Sequence, residues 1–170
     1  MKLSTISTIS TLFTLLGLAM FAQGEPLQVG APAPDVTAVD QNGKPVNFRE
    51  VYAKGPTLVF FYPKADTPGC TKQACSLRDD WSALQEKGVQ VIGVSGDTAE
   101  DQKKFEEKHK LPFTLVADHD FKVANAFGSP NRARNSFLVK DGKIAWSMLK
   151  ASTATHSKDV LAAYEQLAKK

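Results

Sequence analysis

Two continuous apolar runs, Thr57 to Tyr62 (TLVFFY) and Val89 to Val94 (VQVIGV), stand out from the mixed pattern of the chain. Short runs rich in β-branched and aromatic residues predict strands buried on both faces. Between them Ala74, Leu77, Trp81 and Leu84 recur at spacings of 3, 4 and 3. That spacing predicts a helix over Cys70–Lys87 with one buried stripe, ended by Gly88 as its cap. Strand, helix and second buried strand make a βαβ unit, so the two strands are expected to pair in parallel.

The flanks extend this unit. Asp35 to Phe48 alternates weakly around Gln41-Asn42-Gly43-Lys44. Asn-Gly predicts a tight hairpin, because both central residues tolerate positive φ, and Pro45–Phe48 is expected as the return strand. Asp97-Thr98 is expected to cap a polar surface helix running to about His109, with Phe105 as its one large apolar residue. Phe113–Ala117 predicts a third strand and Asp120–Phe127 a short helix. Asn135–Val139 and Ile144–Met148 flank Asp141-Gly142, a second hairpin signal. Ser157 is expected to cap a last helix bearing Val160, Leu161, Tyr164 and Leu167. The order is that of a thioredoxin-like α/β fold: a central mixed β-sheet flanked by helices, with a small N-terminal hairpin.

The first residues follow a different logic. Met1-Lys2 precedes a short apolar stretch, Leu12 to Phe21, which ends at Ala22 before polar Gln23-Gly24-Glu25. This is the layout of a secretory signal peptide, too short to span a bilayer comfortably. Residues 1–22 are therefore expected to be removed, leaving 23–170 as a single domain of an exported protein, in a bacterium a periplasmic one. The competing readings are an uncleaved anchor and a buried first helix. The 170 residues carry 42% hydrophobic and 23% charged residues and a net charge of +3, without a long basic run. That balance suits a packed core and excludes nucleic acid and anionic membranes as expected partners.

Export changes the reading of Cys70 and Cys75, the chain's 2 cysteines, because an exported pair is by default a structural disulfide. Helix geometry argues against that default. Cys70 lies within about 40° of the apolar stripe and Cys75 about 140° away from Cys70, with Cα atoms roughly 8.7 Å apart in an intact helix. A disulfide needs less than about 7 Å. A permanent bond would destroy the first turns of the helix, whereas a transient one, formed on local unwinding, fits both states. Cys70 also stands where the helix begins, where unpaired N–H groups and the positive end of the dipole favour an anion. The anion is the nucleophilic form of a thiol. Pro68-Gly69 lets backbone N–H groups come close, Thr67 can turn its hydroxyl toward the sulfur or a bound oxygen, and Pro63 walls one side. The pair is Cys-x4-Cys, unlike the Cys-x-x-Cys of disulfide oxidoreductases. His109, His119 and His156 carry no motif and are expected at the surface, so no metal or cofactor is expected.

The stretch from Pro63 to Cys75 (PKADTPGCTKQAC) resembles the peroxiredoxins, whose signature is Pro-x3-Thr/Ser-x2-Cys. Phe61 to Asp79 resembles the peroxiredoxin Q branch, also called bacterioferritin comigratory protein. The resemblance covers Val29 to the C-terminus. It implies a thiol peroxidase acting on hydrogen peroxide and organic hydroperoxides. Cys70 would be the peroxidatic cysteine, oxidised to a sulfenic acid, and Cys75 the resolving cysteine that condenses with it to an intramolecular disulfide. Thioredoxin or a thioredoxin-like protein would restore the thiols. Thr67 and Pro63 match pocket positions. The family's active-site arginine matches Arg134, before Ser136-Phe137-Leu138-Val139. The segment leading to it, Ala126 to Ala133, is shorter than usual, and Arg132 is the alternative, sharing a strand face with Arg134 if the strand extends that far. Arg78 is expected on the helix surface. The branch is often monomeric, which is the expectation here. The rival reading, from another class, is a thioredoxin-fold binding or chaperone module with a structural disulfide.

Overall fold

The computed structural model describes residues 25–169, so the expected signal peptide lies outside the described residues. The elements run β1 (Thr37–Asp40), β2 (Pro45–Asn47), α1 (Phe48–Tyr52), β3 (Thr57–Phe61), α2 (Pro68–Asp79), α3 (Trp81–Glu86), β4 (Gln90–Ser95), α4 (Ala99–His109), β5 (Thr114–Ala117), α5 (Lys122–Ala126), β6 (Ser136–Lys140), β7 (Lys143–Met148) and α6 (His156–Ala168). All strands join one sheet in the order β2-β1-β5-β4-β3-β6-β7. The β3–β4 pair is parallel, as the βαβ pattern required, and so is β4–β5. β6 and β7 continue the sheet antiparallel on one side. The N-terminal hairpin continues it on the other, through β1 on β5. Among the described residues no helix is long and apolar enough to cross a membrane.

Period-2 alternation in β3 sorts the core into two layers. Leu58 and Phe60 face a layer built with Ala74 and Leu77 of α2, Leu84 of α3, Phe105 of α4 and Val160 of α6. Val59 and Phe61 face the opposite layer, with Phe48 of α1, Val123 of α5 and Phe127. Phe60 is in register with Gly93 of β4. A Cβ at Gly93 would lie 2.8 Å from the Phe60 ring and 2.9 Å from Leu115, both fully buried side chains. Gly93→Ala is therefore expected to cost about 1–3 kcal/mol by overpacking. The measurement is a lower urea midpoint at unchanged m-value; an unchanged midpoint would mean that the Phe60 ring yields freely.

Several local expectations are corrected. The first turn is not a two-residue one: Gly43 alone among its residues has positive φ, 75°. The Asp40 carboxylate organises a longer loop instead, accepting from the N–H groups of Asn42 and Lys44 at 2.8 Å each. The second hairpin does turn as expected, with Asp141 and Gly142 at φ 52° and 71°. The return strand stops at Asn47, whose side chain accepts from Glu50 N–H and caps α1, a helix the pattern did not reveal. The expected Cys70–Lys87 helix is two helices, starting at Pro68 and interrupted at Asp80. The apolar stripe runs through the interruption, so spacing alone does not mark it. The last helix starts after Thr155, not Ser157. Ser157 is buried, and its hydroxyl donates to the Asp80 carboxylate at 2.6 Å, tying α6 to the break between α2 and α3.

Candidate active site

β3 delivers the chain to the site. After Phe61 the backbone leaves the sheet at Tyr62-Pro63, and Asp66 takes a left-handed conformation, φ 55°. The chain then re-enters order at α2 with Thr67 as N-cap and Pro68 in the first turn. Proline is preorganised for that position, where its missing N–H costs nothing. Cys70 therefore sits in the first turn of α2, among N–H groups with no partner inside the helix. Its side chain belongs to the core, with the residue 1% exposed. Thr67 does not cap the helix with its side chain. Its hydroxyl donates to Lys64 C=O at 3.0 Å rather than to the sulfur, so the oxygen is left as an acceptor. Pro63 is half-buried and ends the strand region as expected.

β6 brings the second half. Asn135 C=O accepts from Phe61 N–H at 2.8 Å, extending the β3–β6 pairing one step beyond the strand and fixing the residue before it beside the α2 N-terminus. That residue is Arg134. Its two terminal nitrogens both donate to Cys70 Sγ at 3.6 Å, and Nη1 donates to Gln73 Oε1 at 2.7 Å. Gly69 leaves room for this approach: a Cβ there would lie 3.3 Å from Arg134 Nη2, close enough to press the guanidinium aside by a few tenths of an ångström. Arg132 is placed elsewhere. It is exposed, with φ 63°, and strand β6 begins only at Ser136, so the two arginines share no strand face.

Cys75 is half-buried on the same helix, and both thiols are free. Burial pushes the Cys75 thiol up, against the opposing pull of Arg78. It borders a hollow of about 310 Å³ together with Lys72, Asp79, Ala154 and Lys158. Arg78 pairs with Asp79 at 2.7 Å and donates to His109 C=O, as a helix-surface residue would. Another hollow, about 480 Å³, lies against α1 between Asp35, Arg49, Tyr52 and Asp141 and contains no cysteine or histidine.

The loop from Pro63 to Thr67 is held from beneath by buried polar groups. Ala65 N–H donates to Asp97 Oδ2 at 2.7 Å, and Ser95 Oγ donates to the same oxygen at 2.6 Å. Gln102 Nε2 donates to Ser95 Oγ, and the Tyr62 hydroxyl donates to Gln102 Oε1. Burial pushes the Tyr62 phenol well above its ordinary range, so it stays protonated. At the loop's outer edge Asp66 accepts from His109 at 2.7 Å and Lys108 at 2.6 Å, which hold its carboxyl below the usual range. Helix α4 is thus not wholly a surface helix. Gln102 is fully buried one turn from Phe105, a spacing that signals its inward side.

His156 overturns the expectation of a surface histidine. It is fully buried, with Nε2 2.8 Å from Ser136 Oγ and Nδ1 3.4 Å from Gln73 Nε2. Gln73 and His156 were both missed. Gln73 lies about 60° from Cys70 around α2, near the stripe. His156 lies one turn before Val160, but the expected helix start excluded it. Burial, and secondarily the Arg134 charge, lowers the His156 pKa from 6.5 to about 4. The unfolded chain takes up a proton near pH 6.5 that the folded chain refuses until about 4. Stability is therefore complete above the upper value and declines as pH falls through the window, by about 3 kcal/mol in all. His156→Asn removes this contribution. Urea unfolding at pH 7 and pH 4.5 is expected to give a shallower decline for the variant; equal declines would contradict the assignment.

Residues 29–147 match the model of the AhpC/TSA family. The chain belongs to the AhpC/TSA family. A chloroplastic peroxiredoxin Q from Sedum lineare is 45% identical over 102 residues, 60% of this chain and 54% of its own length. The peroxiredoxin Bcp of Escherichia coli (strain K12) is 40% identical over 148 residues, 80% of this chain and 94% of that protein. The crystal structure of peroxidoxin BcpB from Mycobacterium tuberculosis superposes with a TM-score of 0.78 at 30% identity, over 83% of this chain and 98% of that one. The match spans about half the length of the plant relative. The sheet and its helices are the thioredoxin-like fold that this family shares.

Proposed function

We propose that this AhpC/TSA-family protein is a thiol peroxidase that reduces hydrogen peroxide and organic hydroperoxides at Cys70. The observation that carries the reading is the Arg134 guanidinium donating twice to Cys70 Sγ at the start of α2. A fork of N–H donors and a helix N-terminus on one sulfur stabilise its thiolate. The thiolate attacks one peroxide oxygen and the O–O bond breaks. The leaving oxygen departs with the bonding pair and takes a proton, giving water or an alcohol. Sulfur is oxidised by two electrons to the sulfenic acid, Cys70–SOH. Arg134 and the free N–H groups meet the charge that develops on the leaving oxygen. Thr67 Oγ1, its proton committed to Lys64 C=O, accepts from the peroxide O–H. Pro63 walls the pocket.

Cys75 then attacks the sulfenic sulfur, releasing water and forming the Cys70–Cys75 disulfide. With α2 whole from Pro68 to Asp79, the two sulfurs cannot meet. The first turns therefore unwind in every cycle, breaking the Arg134–Gln73 bond. This is a local opening of the kind that low-stability segments undergo. A dithiol reductant, thioredoxin or a thioredoxin-like protein, restores both thiols and becomes a disulfide itself. The apolar Leu12–Phe21 segment supports export, in a bacterium to the periplasm, with residues 23–170 as the mature domain.

The test is steady-state peroxide consumption with a thioredoxin system and, separately, with dithiothreitol. The expected result is turnover in both. Turnover with dithiothreitol alone would reject thioredoxin as reductant, and no turnover with either would reject the peroxidase reading. The rival binding module with a structural disulfide finds no support in two free thiols on an unbroken helix.

A further inference from the structure

We propose that His156 is a positioning residue for the Cys70 centre: through Gln73 it holds the Arg134 guanidinium in the orientation that faces the sulfur. The proposal rests on the reading that Cys70 is the reacting sulfur.

Arg134 offers only donors, so the end of the Gln73 amide that meets it at 2.7 Å is the oxygen. The amide NH2 therefore points the other way, to His156 Nδ1 at 3.4 Å. A neutral imidazole can accept there only if its proton is on Nε2, which then donates to Ser136 Oγ at 2.8 Å. Gln73, Ser136 and His156 are all 0% exposed, so bulk solvent does not reach these contacts. The Phe60 ring, 5.7 Å from the imidazole, holds it from the side. One assignment gives each of these three contacts a donor and an acceptor. With the imidazole proton on Nε2, an amide turned end for end would set its NH2 against a guanidinium and its oxygen against the Nδ1 lone pair; the other tautomer would relieve only the second of these contacts. His156, with its proton on Nε2, thus favours the amide end that Arg134 meets. The groups come from α2, β6, α6 and the segment before β6, so the start of α6 is coupled to the sulfur without touching it.

The experiment uses His156→Leu and His156→Asn, alone and with Gln73→Met, all in a Cys75→Ser background that leaves one thiol. Two reactivities of Cys70 are read: single-turnover peroxide reduction, and the rate with methyl methanethiosulfonate, a small thiol reagent. Thermal midpoints are recorded alongside. His156→Leu is expected to slow both reactions by about tenfold, the worth of one charge-assisted hydrogen bond. His156→Asn, whose amide oxygen takes the place of Nδ1 as acceptor, recovers most of the loss. With Gln73→Met present, His156→Leu adds nothing, because the two act through one bond. A merely structural histidine would give a lower midpoint with wild-type reactivity, or losses that add, and either result overturns the proposal. If His156→Leu does not fold, nitrogen-15 NMR of the unaltered protein decides: a proton on Nε2 supports the relay and one on Nδ1 overturns it. A protein inert to peroxide would reject the peroxidase reading, while the thiol-reagent rates would still judge the positioning.

Discussion

Cys70→Ser is expected to abolish peroxide reduction and to leave the fold intact. A serine hydroxyl needs a base to become a nucleophile, and among the described residues the side chain hydrogen-bonded to the Cys70 sulfur is the Arg134 guanidinium, which offers only donors. The nearby imidazole of His156 has both nitrogens committed, to Ser136 and Gln73. Residual turnover below about one part in a thousand of wild type is expected, the scale of losing a covalent nucleophile. The fold survives because the substitution is nearly isosteric in a site 1% exposed, and the new hydroxyl can accept from the Arg134 fork. Peroxide consumption and far-UV circular dichroism read the two halves. A variant that still reduces peroxide at the wild-type rate would remove Cys70 from the mechanism.

Arg134→Met is expected to lower kcat/KM for peroxide by about 10²–10³, the cost of deleting one preorganised donor group at a developing charge. Methionine keeps most of the apolar stem, so the loss reflects the guanidinium more than packing. Arg134→Lys recovers only part of it. An ammonium is a point charge and cannot bridge Gln73 Oε1 and Cys70 Sγ with a planar fork. Arg132→Ala is the control: an exposed side chain away from the sulfur, expected to stay within about twofold of wild type, as surface substitutions do. A larger loss at Arg132 than at Arg134 would reverse the assignment. Steady-state kinetics on the three variants separate these outcomes.

The parts of the molecule legible in the sequence are those where burial and periodicity agree. Thr57–Phe61 is apolar at every position except its first and is buried at every position. The stripe on α2 put Cys70 toward the core and Cys75 away from it, and burial follows that division. Arg134 was legible through the motif around it, not through periodicity. What stayed hidden were polar residues doing internal work. Gln73, Gln102 and His156 are fully buried, yet each looks like a surface residue to any pattern that equates polar with exposed. Their burial depends on partners distant in sequence: Gln73 and His156 on each other across 83 positions, Gln102 on Tyr62 across 40. Helix ends were misplaced for a related reason. Ser157 looks like a cap, but its hydroxyl is spent on Asp80, 77 positions away. A tertiary hydrogen bond had displaced the local one, and no window of neighbouring residues contains that information.

On the proposed mechanism Cys70 and Cys75 perform one reaction in sequence, through a helix that must open. The direct measurement mixes fully reduced protein with one equivalent of hydrogen peroxide, then quenches and reads intact mass, free thiols and the peptide map. The predicted result is loss of two hydrogens, no free thiol and a Cys70–Cys75 crosslink, with helical signal falling at the same rate as the bond forms. In Cys75→Ser the mass should instead rise by one oxygen, located on Cys70. Wild-type protein that keeps both thiols, or that gains oxygen on Cys75 while Cys70 stays reduced, would contradict the account.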